Sequence, residues 1–295
     1  MDFADLQTFR AVVDHGGVTA AARRLHRVQS SISARLGALE RDLGCLLFER
    51  AGRRLQLTPE GRHLYDRSAS LVREMDVLRQ ELAGTAQGAV LRIGAMESTA
   101  AARLAPVLAR LRQQQPGLQL AVRTGTTGAL LQALEDHEID AALVAGAPGR
   151  PGLDWQAVYQ ETLVRIAPRQ PLPEGGCALV TFSSGCAYRE VALDWARTQP
   201  LTLGPGIEIG SYHALVAAVS AGMGTGLVPR SVLQGVDRRG LAEWPLEPPW
   251  NRQTTWLATR RDSRSAALQA LREALPAGVD ADAAQPAGAE AAAGA

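Results

Sequence analysis

Residues 18–61, VTAAARRLHRVQSSISARLGALERDLGCLLFERAGRRLQLTPEG, decide the fold of the first part of this chain. Thr19 reads as the N-cap of a helix carrying Ala22 and Leu25 on one face, and Val28 as the plug of a turn before a second helix. That second helix repeats apolar residues at Ile32, Leu36, Leu39 and Leu43, steps of four, three and four that make one buried stripe. Ala20, Ala21 and Ala22 form helix well and are small enough for the close crossing a helix-turn-helix needs. After Gly44, Leu46-Leu47-Phe48 and the alternating Leu55-Gln56-Leu57 flank a turn at Ala51-Gly52, a short hairpin or wing.

Off the buried stripe lie Ser30, Ser31 and Ala34, with Ser33 and Arg35 on its flanks. Short polar groups near the start of such a helix suit entry into the major groove of duplex DNA, where Gln29 has the geometry to pair with adenine. Arg50, Arg53 and Arg54 stud the wing, and residues 16–62 hold nine arginines against four acids in a chain whose net charge is only +1. A local excess of that size fits phosphate contact. The chain has no lysine, so every fixed positive side chain is arginine, a planar partner for phosphate.

These residues carry a resemblance. Phe9, Thr19-Ala20-Ala21, Leu25-His26, Gln29-Ser30, Ile32-Ser33, Leu39-Glu40, Leu43-Gly44, Leu47-Phe48, Arg50, Leu57-Thr58 and Gly61 together resemble the N-terminal signature of the LysR-type transcriptional regulators. The likeness extends to about residue 275. It departs at Arg27-Val28, where Val-Ser is commoner, and at Ala34-Arg35, where many members place a basic or amide residue first. The resemblance implies a DNA-binding set of Thr19, Gln29, Ser30, Ser31, Ser33, Arg35, Arg50, Arg53 and Arg54.

Thr58-Pro59-Glu60 is a strong helix start, with a capping hydroxyl, a proline in the first turn and an acid beside it. The helix runs to about Leu82, with Leu64, Leu71, Met75, Leu78 and Leu82 near a heptad seam and Ser68 as its polar exception. The resemblance implies antiparallel pairing with a second copy, as a homodimer or homotetramer. Residues 84–88 read as a linker.

From Ala89 the pattern alternates short apolar strands with helices, the mark of an α/β domain. Strands are expected at Val90–Ile93, Leu118–Val122 and Ala141–Val144, with a similar series restarting at Cys177. Leu163–Ile166 reads as a strand crossing to a second half and Thr254–Ala258 as one crossing back, before a last helix near Ser265–Leu275. The expected fold class is therefore α/β overall: a winged helix-turn-helix (1–58), a dimerisation helix and linker (59–88), and a two-lobed domain (89–275). The lobes are about 89–162 with 260–275, and 163–259. This domain resembles the family's effector-binding domain, built like a periplasmic binding protein. Residues 276–295, rich in Ala, Gly and Pro, are expected to form a disordered tail.

A ligand belongs where strands end and helices begin, in the cleft between the halves. Glu97-Ser98-Thr99, Thr124–Gly128, Ser183–Tyr188 and Gly210-Ser211-Tyr212 occupy such places. The effector set is Ser98, Thr99, Thr126, Thr127, Ala145, Cys186, Ser211 and Tyr212, and helix starts favour a small anionic metabolite.

Enzyme signals fail on context. Gly222-Met223-Gly224-Thr225-Gly226 follows a helix and precedes a strand, the reverse of a dinucleotide loop. The five histidines and three cysteines show no metal spacing, and no Gly-x-Ser-x-Gly elbow occurs. No catalytic residue, metal or cofactor is expected. Cys186 resembles a redox cysteine of peroxide-sensing members, but Cys177 precedes it instead of following, so a reduced thiol is expected. With no signal or membrane segment in view, the expected place is the cytoplasm. The alternative reading is a binding or transport protein on the periplasmic-binding scaffold, opposed by the intact reading head.

Overall fold

The computed structural model describes residues 1–51, 54–83, 89–170, 177–199, 206–276 and 280–281. They fall into two compact units, Met1–Leu82 and Ala83–Ala295.

In the first unit, α1 (Phe3–Asp14), α2 (Val18–Arg24) and α3 (Gln29–Leu43) precede a hairpin of β1 (Phe48–Ala51) and β2 (Arg54–Leu57) and the long α4 (Pro59–Ala83). Asp2 and Asp5 cap α1 reciprocally, each side chain accepting from the other's backbone N–H. The core joins Phe9 and Val12 of α1, Ala21 and Ala22 of α2, and Ile32, Leu36 and Leu39 of α3, closed by Leu47. Ala20 stays exposed. Glu40 ties α3 to the wing, its carboxylate accepting from the N–H of Leu47 at 2.8 Å and of Phe48 at 3.3 Å. Thr58 starts α4 as expected: its hydroxyl accepts from Gly61 N–H at 3.0 Å and donates to the Leu46 carbonyl at 2.7 Å.

Three local expectations change. Gly17, not Thr19, is the N-cap of α2, because its φ of 143° makes a turn that a threonine would resist. Val28 caps α3 from an extended backbone and stays largely exposed, so it plugs nothing. Leu43, on the last turn of α3, drifts out of the stripe to the surface.

The second unit opens with β3 (Val90–Met96), α5 (Glu97–Ala102), α6 (Leu104–Gln114), β4 (Gln119–Gly125), α7 (Thr127–Glu135) and β5 (Ala141–Ala145). The long β6 (Leu153–Pro168) leads to β7 (Ala178–Phe182), α8 (Ala187–Thr198), β8 (Ile207–Ile209), α9 (Tyr212–Ser220) and β9 (Gly224–Pro229). A 3₁₀ turn (Arg230–Gly235), β10 (Leu241–Pro245), β11 (Arg252–Arg260) and α10 (Ala266–Ala274) complete it, with Asp280–Ala281 beside Tyr159–Gln160. The remainder of the expected tail and the expected linker lie outside the described residues.

Strands run in the order β4-β3-β5-β11-β6-β9-β7-β8, with β10 also on β6. Strand β6 changes partner within its length: Leu153–Thr162 pair with β11, and Leu163–Ile166 with β9. Two lobes result, one with β3, β4 and β5 and the other with β7, β8 and β9. The returning β11, read from the sequence as second-lobe up to residue 259, is hydrogen-bonded to β5 from Thr255 to Thr259 and so belongs to the first lobe's sheet. Gly224 and Gly226 serve β9: a Cβ on Gly224 would lie 2.1 Å from the Ala178 carbonyl oxygen, and one on Gly226 2.9 Å from that of Val180. That close approach of backbones accounts for the glycine run.

Candidate functional site

Helix α3 buries one stripe and leaves Gln29, Ser30, Ser31, Ser33 and Ala34 exposed. No side chain caps its start, so the dipole of a 15-residue helix is open to an anion. The Thr19 hydroxyl accepts from the Gln29 amide at 2.9 Å, which fixes the amide while its carbonyl oxygen remains available. Thr19 thus serves as orienter of Gln29. His26, with φ of 53°, takes the left-handed position that ends α2.

Arg35, expected on the DNA face, turns inward. Its guanidinium donates to Asp5 at 2.7 Å and to both oxygens of Asp2 at 3.0 and 3.2 Å. Burial opposes ionisation of Asp5, but the Asp2 backbone N–H and the Arg35 guanidinium outweigh it and hold the carboxyl below its ordinary value. Arg53, and the side chains of Arg50 and Arg54, lie outside the described residues.

In the second unit, the predicted segments meet where the lobes meet. Ser98 and Thr99, on the first turn of α5, are buried, and among the described residues neither hydroxyl has a hydrogen-bond partner. Thr126 caps α7. Thr127 is spent inside its own lobe, donating to the Ala145 carbonyl at 3.2 Å, while Ala145 N–H points to the Met96 sulfur. On the facing lobe Cys186 starts α8 and Ser211 starts α9. Tyr212 packs inward, stacked on Phe182 with ring centroids 5.0 Å apart, and its backbone N–H faces Glu97 of the opposite lobe.

Hydrogen bonds cross between the lobes at two pairs of helix starts. The Glu97 carboxylate accepts from Ser211 hydroxyl at 3.4 Å and Tyr212 N–H at 3.3 Å, with His213 3.9 Å away. The Gly185 carbonyl accepts from Gly128 N–H at 3.1 Å. Each lobe therefore supplies an acceptor to a helix start of the other, and two of the four places expected for an anion, the starts of α7 and α9, hold the protein's own oxygens. Room is tight there: a Cβ on Gly185, whose φ is +83°, would lie 3.0 Å from the Thr126 hydroxyl.

Beneath lies a buried polar group that sequence reading missed. Arg103 grips Glu161 at 2.9 and 3.4 Å, and the Ser231 hydroxyl donates to the same carboxylate at 2.7 Å. The Tyr188 and Thr255 hydroxyls are buried without a hydrogen-bond partner among the described residues. Burial pushes the Tyr188 hydroxyl far above its ordinary value, and it pushes the Cys186 thiol up as well. A raised thiol is a poor nucleophile. Cys177, at the opposite end of β7, is about four residues of strand or more away, beyond disulfide reach.

Among the described residues, no group of three His, Cys, Asp or Glu side chains is placed to hold a metal, and no helix is long and apolar enough to cross a membrane.

Residues 3–62 match the family described as "Bacterial regulatory helix-turn-helix protein, lysR family", and residues 84–279 match "LysR substrate binding domain". The chain belongs to the LysR family. It is a LysR-type DNA-binding transcriptional regulator with an effector-binding domain. The HTH-type transcriptional regulator YusT of Bacillus subtilis is 32% identical to it over 89% of this chain and 91% of its own. YofA of Bacillus velezensis is 34% identical over 81% of this chain and 84% of its own. In fold, a full-length OxyR variant from Pseudomonas aeruginosa matches with a TM-score of 0.69 at 20% identity, over 93% of this chain and 94% of that one. CbnR, solved with its target DNA, matches with a TM-score of 0.67 at 20% identity, over 93% and 99%.

Within this LysR-family chain, Glu97 had a signal that the sequence reading passed over. It stands in the quoted segment Glu97-Ser98-Thr99, read there for its hydroxyls alone. Arg103 and Glu161 had none, being 58 residues apart with the glutamate inside a strand.

Proposed function

We propose that the first unit of this regulator reads duplex DNA through Gln29, Ser30, Ser31 and Ser33, with Arg50, Arg53 and Arg54 of the wing on phosphates. The observation that carries this is the free polar face at the start of α3, with Gln29 held by Thr19. Residues 1–58 form the reading head, residues 59–88 pair with a second copy in a homodimer or homotetramer, and residues 89–275 take a small metabolite between the lobes. Ser98 and Thr99, buried and with no hydroxyl partner among the described residues, are the strongest candidates to touch it. A ligand that binds one arrangement of the lobes better than another shifts how the paired heads meet DNA. The protein works in the cytoplasm and catalyses no reaction.

One experiment separates the two halves of this reading. DNA fragments selected from genomic DNA by the wild-type protein are rebound by Gln29→Ala and Thr99→Val. Gln29→Ala should lose about 1–3 kcal/mol on the selected site and almost nothing on random DNA. Thr99→Val should bind the selected site like wild type but lose its response to the metabolites of adjacent genes. Equal loss on selected and random DNA would remove Gln29 from base reading, and an unchanged response would remove Thr99 from the cleft.

A further inference from the structure

Between the lobes, the charge expected of the ligand is already present on the protein. The N-terminus of α9 faces Glu97 of the opposite lobe, and that of α7 faces the Gly185 carbonyl. An anionic ligand at the start of α9 would have to expel Glu97 and then sit beside its charge. The guanidiniums of Arg103 and Arg189 are engaged elsewhere, Arg103 with Glu161, and Arg189 with Thr181, the Phe182 carbonyl and Glu208. His213 is mostly exposed, so water screens its effect on Glu97.

Glu97 itself is poorly satisfied. Its contacts of 3.3 and 3.4 Å lie at the long limit of hydrogen bonding, and its side chain keeps 21% of its exposure. The helix dipole offsets only about half a charge. An ammonium group at about 2.8 Å would be a stronger partner than either present donor. Next to Glu97 in sequence stand Ser98 and Thr99, more than nine-tenths buried, with hydroxyls that have no partner among the described residues.

We propose that Glu97 sets the charge of the effector: the cleft takes a small organic cation whose protonated amine pairs with the Glu97 carboxylate, while Ser98 and Thr99 serve its other polar atoms. This rests on the reading of the interlobe junction as the effector site. The ligand replaces the weak contacts from Ser211 and Tyr212, so binding also alters a link between the lobes.

The test titrates short diamines and dicarboxylates of matched chain length into the full-length protein by calorimetry, at one ionic strength. Diamines should bind saturably and dicarboxylates should not. Glu97→Gln, which keeps the side-chain shape, should weaken diamine binding by about tenfold or more, while Glu97→Asp keeps the preference for diamine over dicarboxylate. Thermal melts of both variants should stay near wild type. The proposal is overturned if dicarboxylates bind and Glu97→Gln tightens them, if diamine affinity ignores Glu97→Gln, or if no diamine binds. Failure of the site itself is distinguishable: diamines would then bind equally to Glu97→Gln, Ser98→Ala and Thr99→Val. Failure of the charge assignment alone would leave dicarboxylate binding sensitive to the two hydroxyl variants.

Discussion

At the scale of single residues, chemistry is legible only where the partner is close in sequence. Thr58 could be read as a cap because the groups it serves lie within its own turn, whereas Arg35 reads as a DNA contact until Asp2 and Asp5 are brought to it across 30 and more residues. Glu97 is a similar case, since its acceptors' donors stand 114 and 115 positions away. The inward Arg35 leads to a stability prediction instead of a binding one. Asp5 is held below its ordinary carboxyl value, so its pairing stabilises the fold fully above about pH 4 and fades as pH falls through the lowered value. Charge-assisted hydrogen bonds contribute about 1.5–3 kcal/mol, which partial exposure reduces to about 1 here. Arg35→Gln should therefore lower hydrogen-exchange protection in residues 3–14 at pH 7, and its deficit against wild type should shrink in acid. A deficit independent of pH would mean that the ion pair does not stabilise α1.

At the scale of elements, most boundaries followed from period and capping, because α6, α7, β5 and α10 each have apolar residues that repeat cleanly between turn signals. Strand β6 was seen only over Leu163–Ile166, since Asp154, Gln156, Gln160 and Glu161 interrupt the first part with polar residues. What they face explains them: that part pairs with β11 in the junction, where Glu161 meets Arg103. Glycines show the same limit. Gly61 looks like a blemish in the first turn of α4, yet a Cβ there would lie 2.1 Å from the Leu47 carbonyl oxygen and 3.0 Å from Leu57. The wing and α4 approach each other through it. Gly61→Ala should cost about 1–3 kcal/mol, as overpacking does, whereas Gly37→Ala in α3, with open space around the added methyl, should gain up to about 1 kcal/mol. Comparative thermal melts decide it, and equal effects from the two would dissolve the assigned contact.

At the scale of the whole molecule, the order of parts was readable from the chain, while the way β6 and β11 divide between lobes required the ladder pairings themselves. The assembly is the remaining step. The seam of α4 splits in two: Ser68 is fully buried and Leu64 partly so against their own unit, whereas Leu71, Met75, Leu78 and Leu82 are exposed. Four large apolar residues on one helix face would cost solubility if left in water, and their spacing suits another helix better than a sheet. In the proposed dimer a second copy of α4 would supply such a helix and set two reading heads on two half-sites, so that binding would gain from linkage by about 10²–10⁴. Leu78→Glu with Leu82→Glu should therefore bring the sedimenting mass down to the 31.3 kDa of one chain and weaken binding to a two-half-site DNA by about a hundredfold or more, while a single half-site is bound as by wild type. A doubly substituted protein that sediments and binds like the parent would free α4 from pairing and require another surface to join the copies.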